Sequence, residues 1–129
     1  MNSVKYLIYY ILFSAVIFIG CAQTDEENVI TVEQLREMMR SDSSLVLLDV
    51  RNPHELEDKS LGHIYGVLNI PLPELEKRLG ELDKFKDKDI AVICRSGRRS
   101  GTATDLLIKK GFNAVNVLGG MIQYRANDN

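Results

Sequence analysis

The residues best placed to do chemistry run from Cys94 to Ser100, CRSGRRS: one thiol, then two serines, a glycine and three arginines. An apolar run precedes them and a helix-forming stretch follows, so the thiol stands where a strand ends and a helix begins. There, backbone N–H dipoles and guanidinium groups both favour the thiolate over the thiol. Cys94 is therefore a candidate nucleophile. The backbone of Arg95, Ser96, Gly97, Arg98, Arg99 and Ser100 is a candidate cradle for an anionic substrate, with Arg98 and Arg99 stabilising the charge of a leaving group. The competing reading is a cysteine that only ends a core strand, but core packing needs neither the glycine nor three arginines.

Several elements must position that stretch. Ile90 to Ile93 is short, apolar and β-branched, which reads as a strand buried on both faces. Thr102 to Lys110 reads as a helix stopped by Gly111. Leu45 to Leu48 is a second buried strand with Asp49 at its end, and further strands fall at Val67 to Ile70 and Asn113 to Val117. Thr31 with Gln34 forms a capping box for a helix ending near Ser41, whose inner face carries Val32, Leu35, Met38 and Met39 as core filling. Pro53 to Lys59 suits a short helix with solvated glutamates. Pro73 to Leu79 suits another, ended by Gly80, and Asp83 to Asp89 reads as a solvent-facing turn. Gly119 and Gly120 permit a tight bend before a closing helix that starts at Met121. Strands alternating with helices imply an α/β fold, a mostly parallel central sheet with helices on both faces. Such sheets bind ligands at the carboxyl ends of their strands, where Asp49 and Cys94 both fall.

Cys94, Gly97 and Arg99 fit the C-x-x-G-x-R loop of the rhodanese family of sulfurtransferases, which this chain resembles. LDVRNPHE at Leu48 to Glu55, GHIYGVLNIP at Gly62 to Pro71 and LGG at Leu118 to Gly120 agree with that family in order and spacing. The resemblance covers Val29 to Arg125. It implies a single-domain rhodanese-like fold and a Cys94 that takes a sulfane sulfur from a small anionic donor such as thiosulfate. The resulting persulfide would pass its sulfur to a thiol or cyanide acceptor. The resemblance also gives Asp49 and Arg51 a supporting role, orienting the loop, beside the simpler reading of a local ion pair. Met121 stands where the family commonly has an aromatic residue.

The first 20 residues are of another composition. Lys5 precedes an uncharged apolar run from Tyr6 to Ile19, at about 14 residues short for a membrane span. Phe18, Ile19 and Gly20 before Cys21 resemble the lipobox of bacterial lipoproteins, with Phe18 where leucine is usual. The expectation is a signal peptide over 1–20, lipidation of Cys21 and a polar tether over 21–28. That leads to a rhodanese-like domain over 29–129, membrane-anchored and facing the periplasm or cell exterior. With Cys21 acylated, Cys94 is the one free thiol and no intramolecular disulfide forms.

The 129 residues, 45% hydrophobic and 26% charged with a net charge of −2, suit one globular domain and give no field for nucleic acid. Two histidines and two cysteines offer no metal-ligand spacing, so no metal and no cofactor is expected. His63 and His54 read as structural rather than as a base for Cys94. No long apolar stripe is left over, which implies a monomer. Two other function classes compete with sulfur transfer. One is a phosphatase or arsenate reductase, whose related loops are one residue longer than the six from Cys94 to Arg99. The other is a binding module without turnover, many of which lack the cysteine kept here.

Overall fold

The computed structural model describes residues 28–128, so the expected signal peptide, Cys21 and most of the tether lie outside the described residues. The chain runs β1 (Val29–Ile30), α1 (Val32–Ser41), β2 (Val46–Asp49), α2 (Pro53–Glu57), β3 (Leu68–Asn69) and α3 (Leu72–Leu75), which continues as a 3-10 helix (Glu76–Phe85). Then follow β4 (Asp89–Ile93), α4 (Arg98–Lys109), β5 (Asn113–Val117) and α5 (Gly120–Ala126). The five strands form one sheet in the order β1-β5-β4-β2-β3, every pair parallel. Parallel strands need crossover connections, and the intervening helices supply them on both faces. The α/β architecture read from the sequence is the observed one.

Successive side chains of a strand point to opposite faces, and the core divides accordingly. Val46 and Leu48 of β2 with Ile90 and Val92 of β4 pack with Leu75, Leu82, Ala103 and Leu107, under α3, the 3-10 helix and α4. Leu47, Ala91, Ile93 and Val117 pack on the other face with Val32, Leu35 and Met121, under α1 and α5. Because β2 and β4 are buried on both faces, their sequences are unbroken apolar runs.

The capping box holds: Thr31 N–H donates to Gln34 Oε1 at 2.8 Å and Gln34 N–H to Thr31 Oγ1 at 3.2 Å. Other expectations need correction. Met39 is exposed and Met38 only half-buried, so Val32 and Leu35 alone of α1 are core. Gly80 does not end its helix; the backbone tightens to 3-10 and runs on to Phe85 because Leu82 is fully buried and Phe85 packs against the same core. The solvent-facing turn before β4 is correspondingly shorter. The helix after the cysteine loop begins at Arg98, not Thr102. Gly97 takes the left-handed conformation, φ 97°, at its N-cap, so Arg98, Arg99 and Ser100 form its first turn.

Candidate active site

β2 and β4 lie side by side in a register that pairs Asp49 with Ile93, and Val50 N–H donates to Ile93 O at 3.0 Å. The carboxyl ends of the two central strands therefore finish together, with Cys94 leaving β4 there. Its Sγ lies under the N-terminus of α4: Gly97 N–H donates to it at 3.1 Å, and Ser100 Oγ lies 3.3 Å away. Burial alone would push the Cys94 thiol up. The Ser100 hydroxyl and the N–H groups of Ser100, Ser96 and Gly97 outweigh it, and the thiol is held below its ordinary value.

The loop is fixed from behind by α5. Met121 N–H donates to Cys94 O at 2.8 Å and Ile122 N–H to Arg95 O at 3.1 Å. That approach depends on Gly120, at φ 55°, where a Cβ would stand 2.7 Å from the carbonyl carbon of Arg95. Gly119 and Gly120 thus make the bend read from the sequence. Met121 is fully buried in the α1-side core.

The three arginines of the loop behave differently. Arg95 and Arg98 are exposed, as is Ser96. Arg99 is half-buried and turned onto Glu55 of α2, which accepts from Nη1 and Nη2 at 2.7 Å each. That fork holds the Glu55 carboxyl far below the carboxylate range, at about 2, against the opposing effect of burial. Glu55 is therefore part of the site, not the solvated surface residue expected.

Asp49 and Arg51 form a fully buried ion pair, Arg51 Nη2 donating to Asp49 Oδ2 at 2.6 Å and Nε to both carboxylate oxygens. Arg51 also donates to Glu55 O at 3.2 Å and Gly62 O at 2.8 Å. Neither of the two hydrogen-bonds the cysteine loop among the described residues. Their reach to it is indirect, since Arg51 grips the helix that presents Glu55 to Arg99. Asn69 Nδ2 completes this corner by donating to Asp49 O and Arg51 O, both at 2.9 Å. His63 is exposed, its Nδ1 3.2 Å from Leu56 O, and His54 is exposed on α2.

Asn116 of β5 is the second participant that sequence reasoning missed. Ser100 Oγ donates to its Oδ1 at 2.6 Å, and its Nδ2 donates to Gly97 O at 3.2 Å. A signal for it did exist, an amide in an otherwise apolar strand run, Ala114 to Val117. Glu55 had one too, three residues after Asn52, whose N–H its side chain accepts at 3.0 Å. Among the described residues no group of three or more His, Cys, Asp or Glu could hold a metal ion.

The arrangement presents a buried, activated sulfur at a strand end, under a rim of N–H groups and two exposed guanidinium groups. The chain as a whole has relatives among known proteins. The family model described as "Rhodanese-like domain" matches residues 31–127. The chain is 45% identical over 93 residues to the Bacillus subtilis protein YrkF, an alignment covering 71% of this chain and 48% of YrkF, so it spans about half of that relative's length. It is 34% identical over 74 residues to the Escherichia coli thiosulfate sulfurtransferase PspE, covering 57% of this chain and 68% of PspE. The crystal structure of a rhodanese-related protein from Thermoplasma volcanium superimposes with a TM-score of 0.68 at 35% identity, covering 78% of this chain and 92% of that one. With the family model spanning most of the chain and the fold in agreement, the chain belongs to the rhodanese-like domain family.

Proposed function

We propose that the protein is a sulfurtransferase that carries sulfur as a persulfide on Cys94. The observation that carries this reading is the environment of Sγ: buried, at the N-terminus of α4, with Gly97 N–H at 3.1 Å and Ser100 Oγ at 3.3 Å. The Cys94 thiolate attacks the outer sulfur of thiosulfate. The sulfur–sulfur bond of the donor breaks, sulfite leaves with the bonding electron pair, and the loop N–H groups hold the new terminal sulfur anion. An acceptor thiolate or cyanide then attacks that terminal sulfur and returns Cys94 as the thiolate. No net oxidant or reductant is needed with cyanide, which leaves as thiocyanate. Arg95 and Arg98, exposed at the rim, draw the anionic donor in, and Arg99 acts through the loop it anchors to Glu55. The name of the Escherichia coli relative supports thiosulfate as donor.

The test is turnover of thiosulfate and cyanide by the protein and by Cys94→Ala. Loss of all turnover in a variant that keeps its fold is expected; residual turnover near the parent rate defeats the proposal.

Export and anchoring through a lipidated Cys21 form the second part of the proposal, and the polar segment up to Asn28 would tether a monomeric domain at the membrane surface. Support comes from the apolar leader and the Phe18-Ile19-Gly20-Cys21 sequence. Metabolic labelling with a fatty-acid analogue tests it, with label expected in the protein and absent from Cys21→Ala; label retained in that variant, or never incorporated, refutes it.

A further inference from the structure

Ser100 has one hydroxyl proton and two neighbours that could take it, Cys94 Sγ at 3.3 Å and Asn116 Oδ1 at 2.6 Å. The direction of the Asn116 amide fixes what that residue can do. Gly97 O can only accept, so the group facing it at 3.2 Å must be the amide nitrogen, and the amide oxygen is left facing Ser100. That oxygen can only accept in its turn. The Ser100 hydroxyl therefore has one proton for two acceptors, Asn116 Oδ1 at the shorter distance and Cys94 Sγ at the longer.

Ionisation of Cys94 changes the count. The thiolate has no proton to give, and it draws the Ser100 hydroxyl to itself only if that hydroxyl leaves Asn116. Asn116 is buried, and with Ser100 turned away its Oδ1 has no other donor among the described contacts. A buried acceptor without a partner is costly. We infer that Asn116 is a positioning residue that competes with the Cys94 sulfur for the Ser100 hydroxyl, and so sets the pH at which the thiol becomes a nucleophile. The inference rests on Cys94 as the nucleophile of the proposed reaction, and needs no particular sulfur donor.

The charged groups around Cys94 are Arg95 and Arg98 on its own loop and helix, Arg99 with its partner Glu55 from α2, and the Asp49–Arg51 pair at the end of β2. β3, β5 and the first turn of α5 bring no titratable side chain to it. Replacing Asn116 with an uncharged residue leaves all of these charges in place, so a change in titration reports the hydroxyl.

The experiment is the pH profile of iodoacetamide alkylation of Cys94 in the full chain, read by mass spectrometry of the Cys94 peptide so that Cys21 does not interfere. In Asn116→Leu the midpoint moves to lower pH, with alkylation below the midpoint faster by about three- to tenfold, the worth of one neutral hydrogen bond. In Ser100→Ala the midpoint moves to higher pH, and the double variant titrates like Ser100→Ala alone. A role confined to bracing Gly97 predicts the reverse for Asn116→Leu, because a loosened loop withdraws N–H groups from the thiolate. An unchanged or raised midpoint in Asn116→Leu, or shifts that simply add in the double variant, would overturn the inference. Asn116→Ala removes the same acceptor without bulk and carries the test if the leucine variant does not fold. Absence of sulfur transfer in the parent would refute the proposed reaction and leave this profile interpretable.

Discussion

Glu55 and Arg99, 44 residues apart in the chain, meet in two parallel hydrogen bonds of 2.7 Å, tying the helix after β2 to the first turn of the helix after Cys94. The pair converts two segments at the carboxyl edge of the sheet into one rigid rim. Arg99 thereby spends its charge on a carboxylate of its own chain, and Arg95 and Arg98 are left to face an incoming anion.

The Glu55 carboxyl sits at about 2 in the folded protein against an ordinary 4.5, chiefly because it accepts from Arg99. A depressed folded value stabilises the protein fully above pH 4.5, and that contribution drains away as pH falls toward 2. Arg99 is about one-third exposed, so solvent screens part of the gain. Glu55→Gln is expected to cost about 1–2 kcal/mol near neutral pH and clearly less at pH 3. Denaturant unfolding of both proteins at the two pH values checks it, and an equal cost at both would contradict the ion-pair account.

Asp49 and Arg51 are wholly buried, so removing one partner strands the other's charge away from water. Arg51→Met is expected to destabilise by about 3–5 kcal/mol, while Asp49→Leu together with Arg51→Met recovers a large part of that loss. Thermal and denaturant midpoints of the three variants report it. A single variant costing under about 1 kcal/mol would mean that Arg51 does not hold α2 in place.

A Cβ at Gly120 would collide with Cys94 O and with the backbone of Arg95, in a left-handed conformation that L side chains rarely adopt. Because Met121 and Ile122 hold the loop through their N–H groups, relief of that collision must move the loop. Gly120→Ala is expected to cost about 2–4 kcal/mol and to raise the pH needed for Cys94 alkylation. Stability and alkylation both at parent values would show that the bend is not what shapes the cradle.

Arg98 is exposed and has no carboxylate partner among the described ion pairs. Arg98→Ala is expected to leave stability within about 0.5 kcal/mol of the parent and to raise KM for thiosulfate several-fold, an effect that shrinks as salt is added. Initial rates across a salt series decide it; a KM unchanged at low salt removes Arg98 from donor capture.

What the sequence made legible follows from local physics. Thr31 and Gln34 name a helix start because both partners lie within one turn. The runs around Leu47 and Val92 name central strands because both faces must be apolar, and Cys94 is conspicuous against the glycine and arginines that follow it. The features that escaped depend on partners far along the chain. β1 is two residues long and exists through its ladder with β5, Val29 beside Asn116. Glu55 looked like surface because its partner lies in another element, and Asn116 gains its role only where β5 crosses the N-terminus of α4. Gly80 looked like a stop, but burial of Leu82 overrides a local preference worth about 1 kcal/mol.

The measurement closest to the central claim is the mass of the Cys94 peptide after the protein is exposed to thiosulfate alone, followed by the same peptide after cyanide is added. The account predicts a gain of one sulfur atom on Cys94 and its loss to cyanide as thiocyanate forms. A folded protein with a free Cys94 thiol that takes up no sulfur would contradict it.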